Sequence, residues 1–290
     1  MSNDLVNPFA ELLEEPTFVL TSDQDWAPDW ALSSMLEIVA THDVPLHLFI
    51  TNESEVLHSR RPANLTFGIH PNFLAGSTHG ASTDEVIDFC LAIVPGADTF
   101  RSHSISENSC ILLNLASRGF VADSNLVTFL QPALAPLIHN AGLLRFPVFF
   151  EDDVFLRWAG PDLSFGSLAS LLLTPGLKVL NYHPALVGIN APSVDYYDAR
   201  RSMLFGPSKT RTQIDPYGGP GAATLLVDLI DTVRGAGFDF LSFPQLVTKA
   251  RACLSQVFPD GLYRWPLNPA PGQPGRAIAS VPNDTSIPCR

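Results

Sequence analysis

The stretch "TFVLTSDQDW", Thr17 to Trp26, joins an apolar run to two carboxylates, and the reading of that junction decides the fold. "TFVLT" has the length and the β-branched and aromatic content of a buried strand. Asp23 and Asp25 then stand at its C-terminal end. Residues two apart on a strand face the same side, so both carboxylates can reach one mouth while Gln24 turns away. Two carboxylates that close do not both stay ionised cheaply without a cation. Taken alone, the motif reads equally well as an Asx turn or a helix cap ahead of Asp29.

Six further runs repeat the strand pattern: "LHLFIT", "LTFGIH", "TFRSH", "FVADS", "LRFPVFF" and "LKVLNYH". They alternate with helix-like stretches such as "DWALSSMLEIVATHD", "STDEVIDFCLAIVPG" and "NSCILLNLASRGF". The first of these opens on Asp29 as a candidate N-cap and spaces Leu32, Met35, Leu36 and Val39 along one face, and the third stops on Gly119. Alternating strand and helix predicts an α/β fold with a parallel sheet, and about seven units are enough to close a βα barrel. An open doubly wound sheet also gathers strand ends along one edge. Asp23, Asp25, His70, Arg101, His103, Asp123, Asp152, Asp153 and His183 all fall at C-terminal ends of strand candidates. In a βα barrel that rim carries the active site, so the clustering points to an enzyme.

The chain has 290 residues, 46% of them hydrophobic and 16% charged, and no linker divides the middle. A single domain is expected over residues 1–265, followed by a proline-rich tail, 266–290, that is extended or disordered. A net charge of -12 argues against nucleic acid and anionic membranes as partners. No run is apolar for long enough to span a bilayer and the N-terminus lacks a signal-peptide pattern, so a cytoplasmic protein is expected. Cys90, Cys110, Cys253 and Cys289 show no Cys-x-x-Cys spacing and read as reduced and structural. The segment from Gly188 to Gly219 has little periodicity outside Tyr196 to Leu204 and reads as a functional loop. "DPYGGPGAA" precedes a helix but lacks phosphate-loop spacing and reads as a turn.

His70 in "FGIHPNF" is followed by a proline that forces an extended exit toward the rim. His103 in "RSHS" repeats the situation one strand later, with Arg101 two residues before it. A lone histidine there is more often a satisfied or surface residue; two, with one or two carboxylates, suit a divalent metal such as zinc with a position open for water. His183 in "LNYHPAL" has the chemistry of a general acid. His42, His47, His58, His79 and His139 lack matching partners and read as surface residues. "FFEDDVFLRW" is either a solvated acidic turn or a substrate wall. In the second case Asp152 or Asp153 orients Arg101 or a sugar hydroxyl, and Trp158 offers a face for a sugar ring. Arg200, Arg201, Lys209 and Arg211 concentrate cations in the long loop, which is either solvated or a clamp for a diphosphate.

Together and in this order, "TSDQDW", "GIHPNF", "RSHS", "DSN" and "YHP" resemble the polysaccharide deacetylase superfamily, the NodB-homology or carbohydrate esterase family 4 fold. Within it, the chain is most similar to the WbmS-like proteins of surface-polysaccharide clusters, over roughly Thr17 to Phe258. The resemblance implies a distorted seven-stranded βα barrel (NodB-like) whose metal, held by an aspartate and two histidines, activates water against an N-acyl group on a sugar. It places the general base on Asp23, the metal-binding aspartate on Asp25, and the first metal histidine on His70. The arginine that orients the base falls on Arg101 and the general acid on His183.

Three departures stand out: Gln24 separates the aspartates, Leu74 occupies the position of the second metal histidine, and His103 replaces the proline after the arginine. His103 is inferred to supply the missing imidazole, and the roles of Asp23 and Asp25 remain interchangeable at this level. The implied function is a zinc-dependent hydrolase removing an acetyl or formyl group from a nucleotide-linked or lipid-linked sugar or a short oligosaccharide. Two rivals are a ferrous-iron oxygenase, against which the βα alternation argues, and a non-catalytic carbohydrate-binding protein on a decayed barrel.

Overall fold

The computed structural model describes residues 7–59, 64–159, 165–205 and 214–257. The tail expected over 266–290, and with it Lys209 and Arg211, lie outside the described residues. The strands are β1 (Pro16–Asp23), β2 (Leu46–Ile50), β3 (Leu65–Ile69), β4 (Thr99–Phe100), β5 (Ala122–Asp123), β6 (Leu137–Ile138), β7 (Leu144–Arg145), β8 (Val148–Glu151) and β9 (Gly176–Tyr182). They form one sheet in the order β6-β7-β5-β4-β3-β2-β1-β9-β8, parallel except for β6 against β7.

The sheet curls into a half-barrel. β7 borders β5 and β8 borders β9, near opposite ends of the strand order, yet only Phe146 and Pro147 separate β7 from β8. An isolated parallel bridge, Val127 to Val148, also ties the segment after β5 to β8. Among the described residues the sheet counts nine strands where seven were expected. The run "LRFPVFF" divides in two at Phe146-Pro147, since proline has no N–H for a ladder, and Leu137–Ile138 adds an antiparallel edge too short to show a periodicity.

Every residue of β9 and the last six of β1 are buried, as expected of central parallel strands covered on both faces. On β1, Thr21 and Asp23 face the polar interior at the strand ends, while the Ser22 hydroxyl meets Met35 of the helix Asp29–Thr41. Pro28, not Asp29, is the N-cap of that helix, and Asp29 instead accepts a hydrogen bond from Ser54 at 2.6 Å. The acidic stretch after β8 is a helix, Asp152–Ala159, and not a turn. Within the long loop, the helices Val194–Asp198 and Arg201–Phe205 are ordered. The helix Ala222–Gly235 that follows "DPYGGPG" has its N-terminal amides taken: Asn190 Oδ1 accepts from Ala223 and Thr224. A Cβ on Gly221 would meet the Asn190 carbonyl oxygen at 2.1 Å, which fixes glycine there.

Cys90 and Cys253 are free and buried, but Cys110 is disulfide-bonded, against the expectation of four reduced thiols. Among the described residues no helix is long and apolar enough to cross a membrane.

Candidate metal centre and active site

β1 ends at Asp23, so strand alternation does not deliver Asp25 to the mouth. A turn does. The Gln24 N–H donates to the Phe49 carbonyl at 3.0 Å, and its side-chain oxygen accepts from the Thr51 and Asn52 amides at 3.0 and 3.1 Å. The Asp25 N–H donates to Thr51 Oγ1 at 3.0 Å. Beyond this anchor Asp25 and Trp26 adopt φ of 47° and 54°, a left-handed pair that costs such residues on the order of 1–2 kcal/mol each. The turn brings Asp25 Oδ1 to 2.9 Å from His70 Nε2 and 2.8 Å from His103 Nδ1.

His70 follows β3 and is fixed by its backbone N–H on the Ile50 carbonyl. His103 follows β4, with its N–H on the Pro71 carbonyl, and opens a short turn in which Ser104 and Ile105 are also left-handed. Leu74, where a second metal histidine would stand, is 44% exposed.

His70 is 1% exposed, yet neither ring nitrogen makes a hydrogen bond. Its Nε2 lies close to Asp25 Oδ1 without the alignment a hydrogen bond needs. Unsatisfied buried polar atoms cost about 1–3 kcal/mol each and call for an explanation. Asp25, its hydrogen-bonded neighbour His103 and the unanswered His70 ring form a set with ligand atoms within 4.8 Å of one another, and the set fits a divalent cation. Two other sets among the described residues pair acids with His183, but neither contains a buried histidine with both ring nitrogens unbonded. Burial pulls the His70 pKa down, but the charges of Asp23 and Asp25 outweigh it and raise it. Burial likewise pushes Asp25 up, and the charge of His70 with the hydrogen bond from His103 holds it well below the usual range.

The second unit surrounds Asp23. Arg101 is fully buried and spends its donors on the Ser124 carbonyl, Ser124 Oγ, Thr21 Oγ1, Asn181 Oδ1 and Asp23 Oδ1, the last at 3.0 Å. Asn181 Nδ2 donates to Asp23 Oδ2 and to Glu151 Oε1, each at 3.0 Å.

The third unit is His183, whose Nδ1 lies 2.6 Å from Asp152 Oδ1 while its backbone N–H donates to Asp152 Oδ2. Burial pulls the His183 pKa down, but Asp152 at this distance raises it well above the ordinary value. His183 Nε2 stands 3.6 Å from Asp25 Oδ2 and 3.9 Å from Asp23 Oδ2, so the three units meet.

They open on a cavity of about 460 Å³ whose outer wall includes Asp153, Arg157, Tyr197 and Arg201. Three residues expected at the substrate stand elsewhere. Asp152 is fully buried behind His183, Trp158 is 74% exposed against Phe129, and Arg200 lies over the Tyr196 ring beside a separate hollow. Arg200 lies in the turn between the helices Val194–Asp198 and Arg201–Phe205, while Arg201 opens the second of them. His47 and His79, expected at the surface, are buried as well. Asn181 and Glu151 escaped the sequence reading, although Asn181 stands two residues before His183 and the period-two rule reaches it.

With this geometry in hand, comparison with known proteins defines the class: the sequence matches the WbmS-like polysaccharide deacetylase family over residues 20–201, and the chain belongs to that family. Among solved structures it is similar to a candidate polysaccharide deacetylase involved in O-antigen biosynthesis from Bordetella bronchiseptica. The two are 28% identical with a TM-score of 0.64, covering 75% of this chain and 90% of that one. A candidate polysaccharide deacetylase from Mycobacterium smegmatis shares the fold at 18% identity and a TM-score of 0.54, over 82% of this chain and 90% of the other. No curated protein matches the sequence.

Proposed function

We propose that the chain is a metal-dependent carbohydrate N-deacylase that hydrolyses an acetyl or formyl group from a sugar in surface-polysaccharide biosynthesis. The observation that carries this reading is the meeting of three units on one cavity: the Asp25, His70, His103 donors, the Asp23–Arg101 pair and the His183–Asp152 pair. Asp25, His70 and His103 would hold the cation, and Zn2+ is the ion that best suits two imidazoles and a carboxylate with a position left for water. Such an ion supplies Lewis acidity toward the amide carbonyl and the attacking water.

The proton transfers belong to the protein. Asp23 takes the proton of the water, its carboxylate held in place by hydrogen bonds from Arg101 and Asn181. His183, charged through Asp152, gives up its Nε2 proton to the departing sugar amine. Asp153, Arg157, Tyr197 and Arg201 supply donors and acceptors for sugar hydroxyls around the mouth. The substrate is an N-acylated sugar, as an oligosaccharide or carried on a nucleotide or lipid, met in the cytoplasm. The similarity to the Bordetella protein involved in O-antigen biosynthesis supports the surface-polysaccharide role, not the carrier or the compartment.

The test is release of acetate or formate from N-acetylated and N-formylated sugars by the zinc-loaded protein. Turnover that vanishes in Asp23→Asn while zinc stays bound supports the reading. Sugar binding with no turnover by the unsubstituted protein would replace it with the carbohydrate-binding alternative.

A further inference from the structure

Glu151 ends β8, is 8% exposed, and lines the same cavity, yet the mechanism above does not use it. Its register partner on β9 is Asn181. The orientation of the Asn181 amide is fixed, because its Oδ1 accepts from Arg101 at 2.5 Å and from Thr21 at 3.1 Å. Its NH2 therefore points at carboxyl oxygens on both sides, Asp23 Oδ2 and Glu151 Oε1.

The charges around Glu151 divide unevenly. Asp23 comes from β1 and is matched by Arg101, which follows β4; Asp152, next along the chain, is matched by His183, which follows β9. Asp153 adds a further negative charge from the helix Asp152–Ala159. That leaves Glu151 with a single neutral N–H on Oε1, and among the described residues nothing bonds to Oε2. A buried carboxyl in this setting favours its neutral form. Burial accordingly pushes its pKa up to about 7, with Asp153 and Asp23 adding to the effect and His183 and Arg101 opposing it. Because Oε1 is an acceptor toward Asn181, the proton sits on Oε2.

We infer that Glu151 is a substrate-contacting residue that works as a neutral carboxylic acid, donating a hydrogen bond from Oε2 to an oxygen of the bound acylated sugar. The inference rests on the deacylase reading for the identity of the ligand, but the protonation it requires does not. It also sets a chemical preference: Oε2 in its protonated form is matched to a hydroxyl or carbonyl oxygen of the ligand.

The experiment has two arms, both on zinc-loaded protein, with Glu151→Gln and Glu151→Ala checked for unchanged melting temperature. In the first, infrared difference spectra at pH 6 between the unsubstituted protein and Glu151→Gln show a protonated carboxyl band that the substitution removes. In the second, N-acetylated chito-oligosaccharides are the probe. Glu151→Gln, which keeps a donor, stays within about threefold of the unsubstituted KM, whereas Glu151→Ala raises KM about tenfold with little change in kcat. No protonated band, or a glutamine variant as impaired as the alanine one, overturns the inference. If the unsubstituted protein hydrolyses none of these sugars, the deacylase reading fails while the infrared arm still decides the state of Glu151.

Discussion

The sheet buries two histidines at different heights, and they behave as opposites. His47, in the body of β2, is 2% exposed, stacks on Phe243 at 4.5 Å, and bonds Thr66 and Thr99 through its two ring nitrogens. Burial, with a contribution from the Arg101 charge, holds its pKa down at about 3. His70, at the rim after β3, is buried just as deeply, faces Asp23 and Asp25, and has neither nitrogen hydrogen-bonded. Burial alone therefore says nothing about function. What separates a packed histidine from a candidate ligand is whether its nitrogens are answered by hydroxyls or left facing carboxylates.

The strongest way to break this contrast is to exchange the expectations. His70→Ala is expected to remove tight zinc binding and lower turnover on the order of 10³-fold, while His47→Ala leaves zinc affinity unchanged by isothermal titration. Equal losses of zinc affinity in both would abolish the distinction. Next in size, Asp152→Asn is expected to reduce kcat about 10²-fold at unchanged zinc affinity, because it removes the charge that keeps His183 protonated. A fall in zinc affinity instead would make Asp152 part of the metal unit.

The third test is pH. The unfolded chain protonates His47 near pH 6.5 and the folded chain does so only near pH 3, so stability falls as pH drops through that window. Between pH 7 and pH 5 this amounts to about 2 kcal/mol, readable from urea midpoints. His47→Leu should be less stable at pH 7, where two threonines lose their partner, yet show a shallower acid slope. The smallest effect sharpens the other side of the contrast. Gln24→Leu leaves the Thr51 and Asn52 amides unanswered and should weaken zinc binding about tenfold in competition with a chromophoric chelator, with Glu at that position retaining more affinity.

Most of the scaffold was legible because central parallel strands are apolar along their length. The seven strand runs overlap every strand among the described residues except β6, which is too short to carry a pattern. The rim was legible because polar residues at the ends of such runs are conspicuous, and Asp23, Asp25, His70, Arg101, His103 and His183 do converge. What stayed hidden depended on neighbours across the sheet. Asp152 became the partner of His183 because β8 lies beside β9, and that pairing leaves no trace in the local sequence. Glu151 was masked by the two acids that follow it, and His47 by the lack of any hydropathy signature for a histidine satisfied by threonines.

The left-handed turn at Asp25 and Trp26 also bears on how such proteins are counted. A pattern search for two histidines four residues apart finds Leu74 and discards the chain as a degenerate relative. The Asp25, His70 and His103 donor atoms nevertheless lie within 4.8 Å of one another, because the turn after Gln24 carries Asp25 to the imidazoles that follow β3 and β4. Spacing along the chain is a poor test for a donor set that a turn assembles from three separate strand ends.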